Sequence, residues 1–397
     1  MNRLKSSVFL IIGLMIFVNQ VSGQTKIHIP EPFGDSFLES ELIHEVTFIP
    51  LEIERYGMIA SDMEMKVDRD QYFILDDKFT QCVYRFGSDG KFLNNICEQK
   101  SATKTSDEPV LSNPAKFNLD PNRKRIEIYN FENSTISRFH YDGKKEGQIS
   151  FSTTPSDFVR NKKGDYWVYT GWNNSTTQYR LLKLDDKGKT IDRKMRLLSK
   201  CTPTEGFAFY TDDDNVYLWE LLGNTAYLIK NDEITPRYLF DFGIYSLPLN
   251  YHILPGEESF KLINQNGYYT VKKYLENNNF TYFFLNYTSL ERREMFHVIH
   301  DKRSGQIHVY TENAGIAAFD KAQALTNDDE LVFLVAPRKL RQLLSGGTDF
   351  VPESFTLLSE ELRPLRNPIV LKIKLQSFVD EVPENEHENN EDLYFND

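Results

Sequence analysis

The sequence predicts an all-β protein, a six-bladed β-propeller with four-stranded antiparallel blades. Three observations predict it. The chain is rich in residues that favour strands, with 29 Phe and 21 Tyr. A polar turn followed at once by a short apolar strand occurs six times, and most of these repeats contain a second hairpin with glycine at its turn. A spacing of about 50 residues between repeats built only of short strands is typical of propeller blades.

The repeats follow one another along the chain in the same order. The polar turns lie at 68–71, 120–123, 161–165, 212–215, 277–279 and 327–330. The strands predicted after them are Tyr72–Asp76, Arg125–Asn130, Tyr166–Thr170, Val216–Glu220, Phe280–Leu285 and Leu331–Val335. The second hairpins turn at Gly90, Gly143, Gly188 and Gly305, where glycine tolerates the left-handed backbone that short hairpins need. Two hairpins make four strands, which is one blade.

The last repeat is one strand short. After Leu331–Val335 the sequence predicts a helical insertion at Pro337–Leu344 and a single further strand at Ile369–Leu375. The segment His44–Leu51 can supply the missing strand from the other end of the chain. We therefore expect an N-terminal strand to close the ring in blade six, which removes an exposed sheet edge.

The two ends of the chain predict export. Residues 1–23 combine a short basic region with the apolar run Val8–Val18 and end in Val21-Ser22-Gly23, the pattern of a signal peptide cut before Gln24. A retained membrane anchor is the alternative, but the run is shorter than a spanning helix needs, and no second apolar stretch is longer. No cysteine follows it for lipid attachment. Residues 24–40 are predicted to lead into the single propeller domain at 41–379, and 380–397 to be a disordered acidic tail. The location expected is periplasmic or extracellular.

Several segments resemble a known family. They are the opening Val46–Glu52, hairpins such as Phe86–Phe92, and the closing Asn367–Leu371. Over Glu41–Leu375 the chain is similar to six-bladed β-propeller proteins of Bacteroidetes, distant relatives of NHL-repeat propellers. This resemblance implies the architecture, and the family brings no settled activity or catalytic residues. Many members look like lipoproteins, from which this chain departs by lacking the cysteine.

No motif predicts a cofactor or a metal site. His297 and His300 lie three apart on a predicted strand, so their side chains leave on opposite faces. The acidic turns at Asp70 and 212–214 lack the spaced glutamate of a calcium loop, and no nucleophile elbow or phosphate loop is present. A binding protein is therefore favoured over an enzyme. The alternative is a channel-centred lyase or lactonase whose metal ligands come from separate blades.

Binding residues are expected on one face of the ring, where loops join the second strand of a blade to the third and the fourth strand to the next blade. The candidates on this face are Asp76, Asp77, Asn130, Trp172, Asn173, Glu220, Tyr287 and Arg292. Aromatic rings beside amides and carboxylates suit a carbohydrate or a peptide. The resemblance to the Bacteroidetes propellers implies a role in glycan or envelope systems, so the partner expected is a glycan, a peptide or an envelope protein. For each residue taken singly, ordinary loop or inter-blade packing is the favoured interpretation. The net charge of −12 without a basic run argues against nucleic acid, and we expect a monomer.

Cys82 and Cys97 flank the hairpin turn at Asp89-Gly90. A two-residue turn places them directly opposite as a hydrogen-bonded pair, with α-carbons about 5.5 Å apart. A three-residue loop with a glycine bulge instead places Cys82 opposite Ile96. A disulfide is possible in the first register only, and two buried thiols are the alternative.

Overall fold

The computed structural model describes most of the chain between residues 25 and 377. The described residues are 25–29, 37, 40–52, 63–77, 80, 82–97, 114–131, 133–171, 177–197, 208–212, 215–220, 223–246, 257–258, 261, 267–291, 293–312, 320–345 and 367–377. The predicted signal peptide and acidic tail lie outside them.

The described residues form 25 strands in six sheets. Each sheet is one blade, and its strands are arranged side by side from the ring axis outward. Two strands precede the first blade: β1 (Thr25–His28) and β2 (Ile43–Pro50). Blade one contains β3 (Glu64–Asp68), β4 (Gln71–Asp76), β5 (Cys82–Phe86) and β6 (Phe92–Cys97). Blade two contains β7 (Pro114–Asp120), β8 (Arg125–Asn130), β9 (Thr135–His140) and β10 (Lys145–Ser150). Blade three contains β11 (Asp157–Arg160), β12 (Tyr166–Tyr169), β13 (Tyr179–Leu184) and β14 (Thr190–Arg196).

The remaining blades follow the same plan. Blade four contains β15 (Phe209–Asp212), β16 (Asn215–Trp219), β17 (Thr225–Lys230) and β18 (Glu233–Asp241). Blade five contains β19 (Tyr268–Glu276), β20 (Phe280–Thr288), β21 (Arg293–Asp301) and β22 (Ile307–Glu312). Blade six contains β23 (Ala324–Leu325), β24 (Glu330–Val335) and β25 (Ile369–Leu375), with helix α1 (Pro337–Ser345) inserted before β25. The predicted six-bladed architecture and helical insertion are confirmed.

The blades form a closed ring around an axial channel. Each innermost strand contacts the innermost strands of its two neighbours, in the cyclic order β3, β7, β11, β15, β19, β23. The core fills the spaces between blades, because successive strand residues point to opposite faces. In β4, Tyr72 and Ile74 pack towards blade six, whereas Phe73 and Leu75 pack towards blade two. Trp219 is buried in the same way between blades four and five.

The N-terminal strand β2 closes the ring as predicted. It pairs antiparallel with β25, with Thr47 opposite Lys372, and so becomes the outermost strand of blade six. The pairing continues past the strand, since the amide of Leu51 donates to the carbonyl of Pro368 over 3.2 Å. The first and last segments of the propeller are thus hydrogen-bonded to each other.

A second N-terminal strand was not predicted. Residues 25–28, in the expected lead segment, form β1, which adds to the outer edge of blade four parallel to β18. Between β1 and β2, the ring of Phe37 is buried against His297 at a centroid distance of 4.9 Å and also packs on Phe333. The segment before the first blade therefore contacts blades four, five and six.

The predicted hairpin glycines have the expected backbone. Gly90, Gly143, Gly188 and Gly305 all have positive φ, between 73° and 91°. At Gly90 a second constraint applies, because a Cβ there would overlap the carbonyl oxygen of Pro50 at the end of β2. The amide of Glu52 donates to the Gly90 carbonyl over 2.9 Å. This hairpin of blade one thus packs directly on the strand that closes the ring.

Cys82 and Cys97 form a disulfide bond, although the turn is the three-residue loop. Gly87 pairs with Lys91 around Ser88-Asp89-Gly90, and Phe86 faces Phe92. Leu93 is then an extra residue on β6, so that Arg85 faces Asn94 and the two cysteines come opposite each other. The bulge also reverses the alternation of pair types: their α-carbons are 4.4 Å apart, close to the spacing of a non-hydrogen-bonded pair rather than the expected 5.5 Å.

Candidate functional site

Three of the predicted binding residues, Asp76, Asn130 and Glu220, end or follow the second strands of their blades, and all three are buried. The Asp76 carboxylate accepts hydrogen bonds from the amide and hydroxyl of Thr80, at 2.8 and 2.7 Å. The side-chain carbonyl of Asn130 accepts a hydrogen bond from the backbone amide of Asn133 at 3.4 Å. These bonds shape the loops that follow the strands, and a contact of either side chain with a ligand stays a prediction.

Glu220 and Tyr287 also contact residues of this chain. The Glu220 carboxylate accepts a 2.7 Å hydrogen bond from the Tyr169 hydroxyl and pairs with Arg180, which joins blade four to blade three. The Tyr287 ring lies 5.3 Å from the ring of Tyr269 within the core between blades four and five. Their packing is described, and a ligand role for them stays a prediction.

Asp77 lies in the turn after β4 and is partly exposed. Trp172, Asn173 and Arg292 lie outside the described residues. The structure therefore brings Asp76, Asp77 and Asn130 to one edge of adjacent blades, and it leaves open the three candidates whose placement is not described.

The channel itself holds charged residues that the sequence reasoning missed. Glu64, Lys116 and Asp157 occupy equivalent positions on the innermost strands of blades one, two and three. They face Leu75, Tyr129 and Tyr169, each of which is the last or next-to-last residue of the second strand of its blade. This layer of charges therefore lies towards the face on which the binding residues are predicted.

The carboxylate of Asp157 is held by the backbone. It accepts bonds from the amides of Ala208 at 2.8 Å and Phe209 at 3.1 Å on the next blade, and from the amide of Phe158. Asp157 thus fastens blade three to blade four at the level of the charged layer. The carboxylate of Glu64 instead lies 3.5 Å from the amine of Lys66.

Lysines gather in this part of the channel. We call Lys66, Lys116, Lys273 and Lys321 the axial lysine cluster; they come from blades one, two and five and from the segment just before β23. The charges of Glu64 and of the other three lysines all act on Lys273. Since β19 and β7 are opposite each other in the ring, the interaction between Lys273 and Lys116 extends across the channel.

Several side chains contact the amine of Lys66 in the cluster. It donates a hydrogen bond to the side-chain carbonyl of Asn118 over 2.6 Å. It also lies 3.5 Å from the Glu64 carboxylate and 5.5 Å from the centre of the Phe117 ring. The side-chain amide of Asn118 in turn donates to the backbone carbonyl of Phe158 on blade three. Contacts through three blades thus hold this amine in the channel.

Lys273 is the most buried member, with 9% of its surface exposed. It follows a bulge in β19, where Val271 faces Leu285, Lys273 faces Phe284 and Lys272 is the extra residue. The pKa of Lys273 is lowered to about 7, mainly by burial and also by the nearby lysines, against the opposing effect of Glu64. Burial and the charges of Lys321 and Arg293 also lower the pKa of Lys272. The bulge therefore brings two adjacent amines into a cationic region.

One ring crosses the channel deeper than the charged layer. The hydroxyl of Tyr210 on β15 donates to the carbonyl of Leu325 on β23 over 3.2 Å, although β19 lies between these strands in the ring. Tyr210 comes two residues before the end of β15, whereas Glu64 comes four before the end of β3. Lys66 also comes two residues before the end of its strand, so the side chain of Tyr210 crosses the ring at the level of Lys66.

Two buried carboxylates elsewhere hold blades together. Glu127 accepts bonds from Tyr166 at 2.7 Å and Arg160 at 3.2 Å, and burial raises its pKa. Glu276 accepts a bond from Arg237 at 3.1 Å and also pairs with Lys302. They join blades two and three and blades four and five, so their partners are supplied by this chain.

Metal ligands do not converge in the part of the chain that is described. Among these residues no group of three or more His, Cys, Asp or Glu side chains is placed to hold a metal ion. His297 is fully buried, and its Nδ1 lies 2.8 Å from the Tyr282 hydroxyl. The metal-dependent enzyme considered from the sequence gains no support from this arrangement.

The chain was compared with known proteins. The family described as a domain of unknown function, DUF4934, matches residues 24–374. The chain belongs to the DUF4934 family. A search of curated proteins found no match to this DUF4934 protein. Among the described residues, no helix is long and apolar enough to cross a membrane.

Solved structures similar to this DUF4934 chain include three from Bacteroides. A Bacteroides fragilis protein described as exported is 18% identical, with a TM-score of 0.70 over 89% of this chain and 99% of its own. A DUF4221 family member from Bacteroides vulgatus is 9% identical, with a TM-score of 0.48 over 84% and 97%. A Bacteroides caccae protein of unknown function is 12% identical, with a TM-score of 0.39 over 64% and 84%. The first of these similarities shows that this chain and the Bacteroides fragilis protein share a fold.

Proposed function

We propose that this protein is an exported binding propeller that takes its ligand at the axial channel. The observation that carries the proposal is that two members of the charged layer, Glu64 and Lys116, lie near Lys273 of the axial lysine cluster, although the three come from innermost strands of separate blades. Ionisable groups are costly to bury, and their convergence in a concave region is typical of binding sites.

The position of this layer supports a site that combines the channel with its rim. The layer lies towards the edge of the blades at which Asp77 follows β4, and the sequence predicts Trp172 on the same face. Tyr210 crosses the ring deeper in, at the level of Lys66. A ligand entering from this face meets the loops first and the charged layer next. The rim would supply aromatic and polar contacts, and the channel would supply charge.

Export is supported by two independent features. The signal-peptide pattern at residues 1–23 predicts it, and a Bacteroides fragilis protein with the same fold is described as exported. A periplasmic or extracellular location is also one in which the Cys82–Cys97 bond would persist.

Array binding followed by substitution in the channel tests the proposal. The full chain is screened on glycan and peptide arrays, and the best ligand is then measured by calorimetry with Glu64→Gln and Lys116→Met. We expect each substitution to weaken binding by about tenfold or more, as for loss of a charged hydrogen-bond partner. Lys144→Met, in an exposed hairpin of blade two, is the matched control. A ligand whose affinity is unchanged by both channel substitutions would place its site elsewhere.

A further inference from the structure

We infer that the axial lysine cluster binds an anionic group of the ligand, a carboxylate or a phosphate, with Lys273 as its central cation. This inference rests on the proposed function and names the chemical class of ligand that the same site takes. It is argued from the balance of charge in the channel, the positions of the amines and the coupling of binding to a proton.

The balance of charge favours an anion. Four amines of the cluster share the channel with Glu64, whose carboxylate lies 3.5 Å from one of them, Lys66. The carboxylate of Asp157 is engaged by three backbone amides instead. Among the described residues that act on Lys273, three lysines and one carboxylate are present, so positive charge is in local excess there although the net charge of the chain is −12. Like charges held together in a partly buried region raise the free energy, and a bound anion offsets this cost.

The positions of the amines suit a group on the channel axis. Lys273 and Lys116 come from opposite strands of the ring, and Lys66 is fixed on a third strand by Asn118. An anion between them meets amines from three blades at once. Lysine recognises an anion as a point charge and does not require the planar geometry that arginine prefers, so carboxylate and phosphate share this chemistry.

Binding should also take up a proton. The charged groups that act on Lys273 are Glu64 and Lys66 on β3, Lys116 on β7 and Lys321 before β23, and Lys272 is its neighbour on β19. In the ligand-free protein the Lys273 amine is only partly protonated at neutral pH. An anion favours the protonated form, so affinity should rise as the pH falls from 9 to 7.

The experiment compares probes that differ in charge. The full chain is titrated by calorimetry with inorganic phosphate, with a galacturonate trisaccharide and with the neutral galactose trisaccharide, in two buffers of different ionisation enthalpy. We expect at least one of the anionic probes to bind more tightly than the neutral sugar, with proton uptake at pH 8. Lys273→Met should weaken that binding by about ten- to a hundredfold, whereas the exposed control Lys144→Met should leave it unchanged. Phosphate against galacturonate distinguishes the two sources of negative charge.

The other outcomes separate the two claims. If neither anion binds, or if Lys273→Met leaves anion binding intact, the anion inference is wrong. If a neutral ligand from the arrays binds and loses affinity with Glu64→Gln or Lys116→Met, the proposed function stands without that inference. If the array ligand is insensitive to both channel substitutions, the proposed function itself fails.

Discussion

Replacing Lys273 with methionine should stabilise the ligand-free protein at neutral pH. Burial and neighbouring lysines lower the pKa of Lys273 from 10.5 to about 7. One pKa unit corresponds to about 1.4 kcal/mol, so the free energy of unfolding at pH 7 is reduced by roughly 4 kcal/mol relative to a residue without this charge. Methionine has a similar length and no charge to bury. We expect Lys273→Met to raise the free energy of unfolding by about 2–4 kcal/mol at pH 7.

The effect of Lys273 on the free energy of unfolding should depend on pH. The pKa of Lys273 is lower in the folded state than in the unfolded state, so between pH 7 and 10.5 the unfolded chain binds more protons. This residue therefore makes the wild-type protein more stable as the pH rises through that range. The advantage of Lys273→Met should shrink by about 1.4 kcal/mol for each pH unit above 7.

Urea unfolding at pH 7, 8 and 9 measures both effects. The comparison is the difference between variant and wild type at each pH, because the other titrating groups are common to both. Lys144→Met, an exposed lysine in the hairpin after β9, should change stability by less than about 0.5 kcal/mol. A Lys273→Met protein that is less stable at pH 7, or a difference that does not vary with pH, would refute the reasoning.

Three further predictions concern the fold. Gly90→Ala should cost more than about 2 kcal/mol because its Cβ overlaps Pro50, whereas Gly305→Ala, with nothing within 4 Å, should cost only about 1–2 kcal/mol for its positive φ; equal melting temperatures would contradict this. Alkylation of denatured, unreduced protein should label one cysteine, since Cys82 and Cys97 are bonded, and three labels would exclude the bond. Deleting β2 should expose a sheet edge and cause aggregation; a monomer with an unchanged melting temperature would disprove closure.

The blades were predictable because their signals are local. Hairpin glycines such as Gly143 and Gly188 take the positive φ that short turns need, and alternating apolar residues define the strands between them. Closure by β2 also followed from counting strands in the last repeat, which left one position empty. These features depend on neighbouring residues or on a simple count.

Other features depend on contacts between distant residues. Strand β1 pairs with β18 more than 200 residues away, and three of its four residues are polar or charged, so the sequence gives no local sign of that partner. The register of the cysteines depends on Leu93, an extra residue whose position in the strand no turn motif indicates. The sequence thus left two registers open, and the observed one combines the predicted three-residue loop with a later bulge.

The residues predicted to bind a ligand and the lysines of the axial cluster occupy different positions in the blades. Asp76 and Asn130 end their second strands as expected, yet both are buried and bonded within their own loops. The lysines of the cluster lie on the innermost strands, where each isolated charge resembles an ordinary exposed strand residue. A usable signal was the pair Lys272-Lys273 inside an aromatic strand, which breaks the alternation of that strand.

The pKa of the Lys273 amine tests the central claim most directly. NMR titration of lysine labelled at its side chain, assigned by comparison with Lys273→Met, reports this value in the intact protein. The account predicts a pKa of about 7 in the ligand-free protein, rising when an anionic ligand is added. A value near 10.5 in the ligand-free protein, unchanged by any anion, would contradict a buried lysine cluster that binds negative charge.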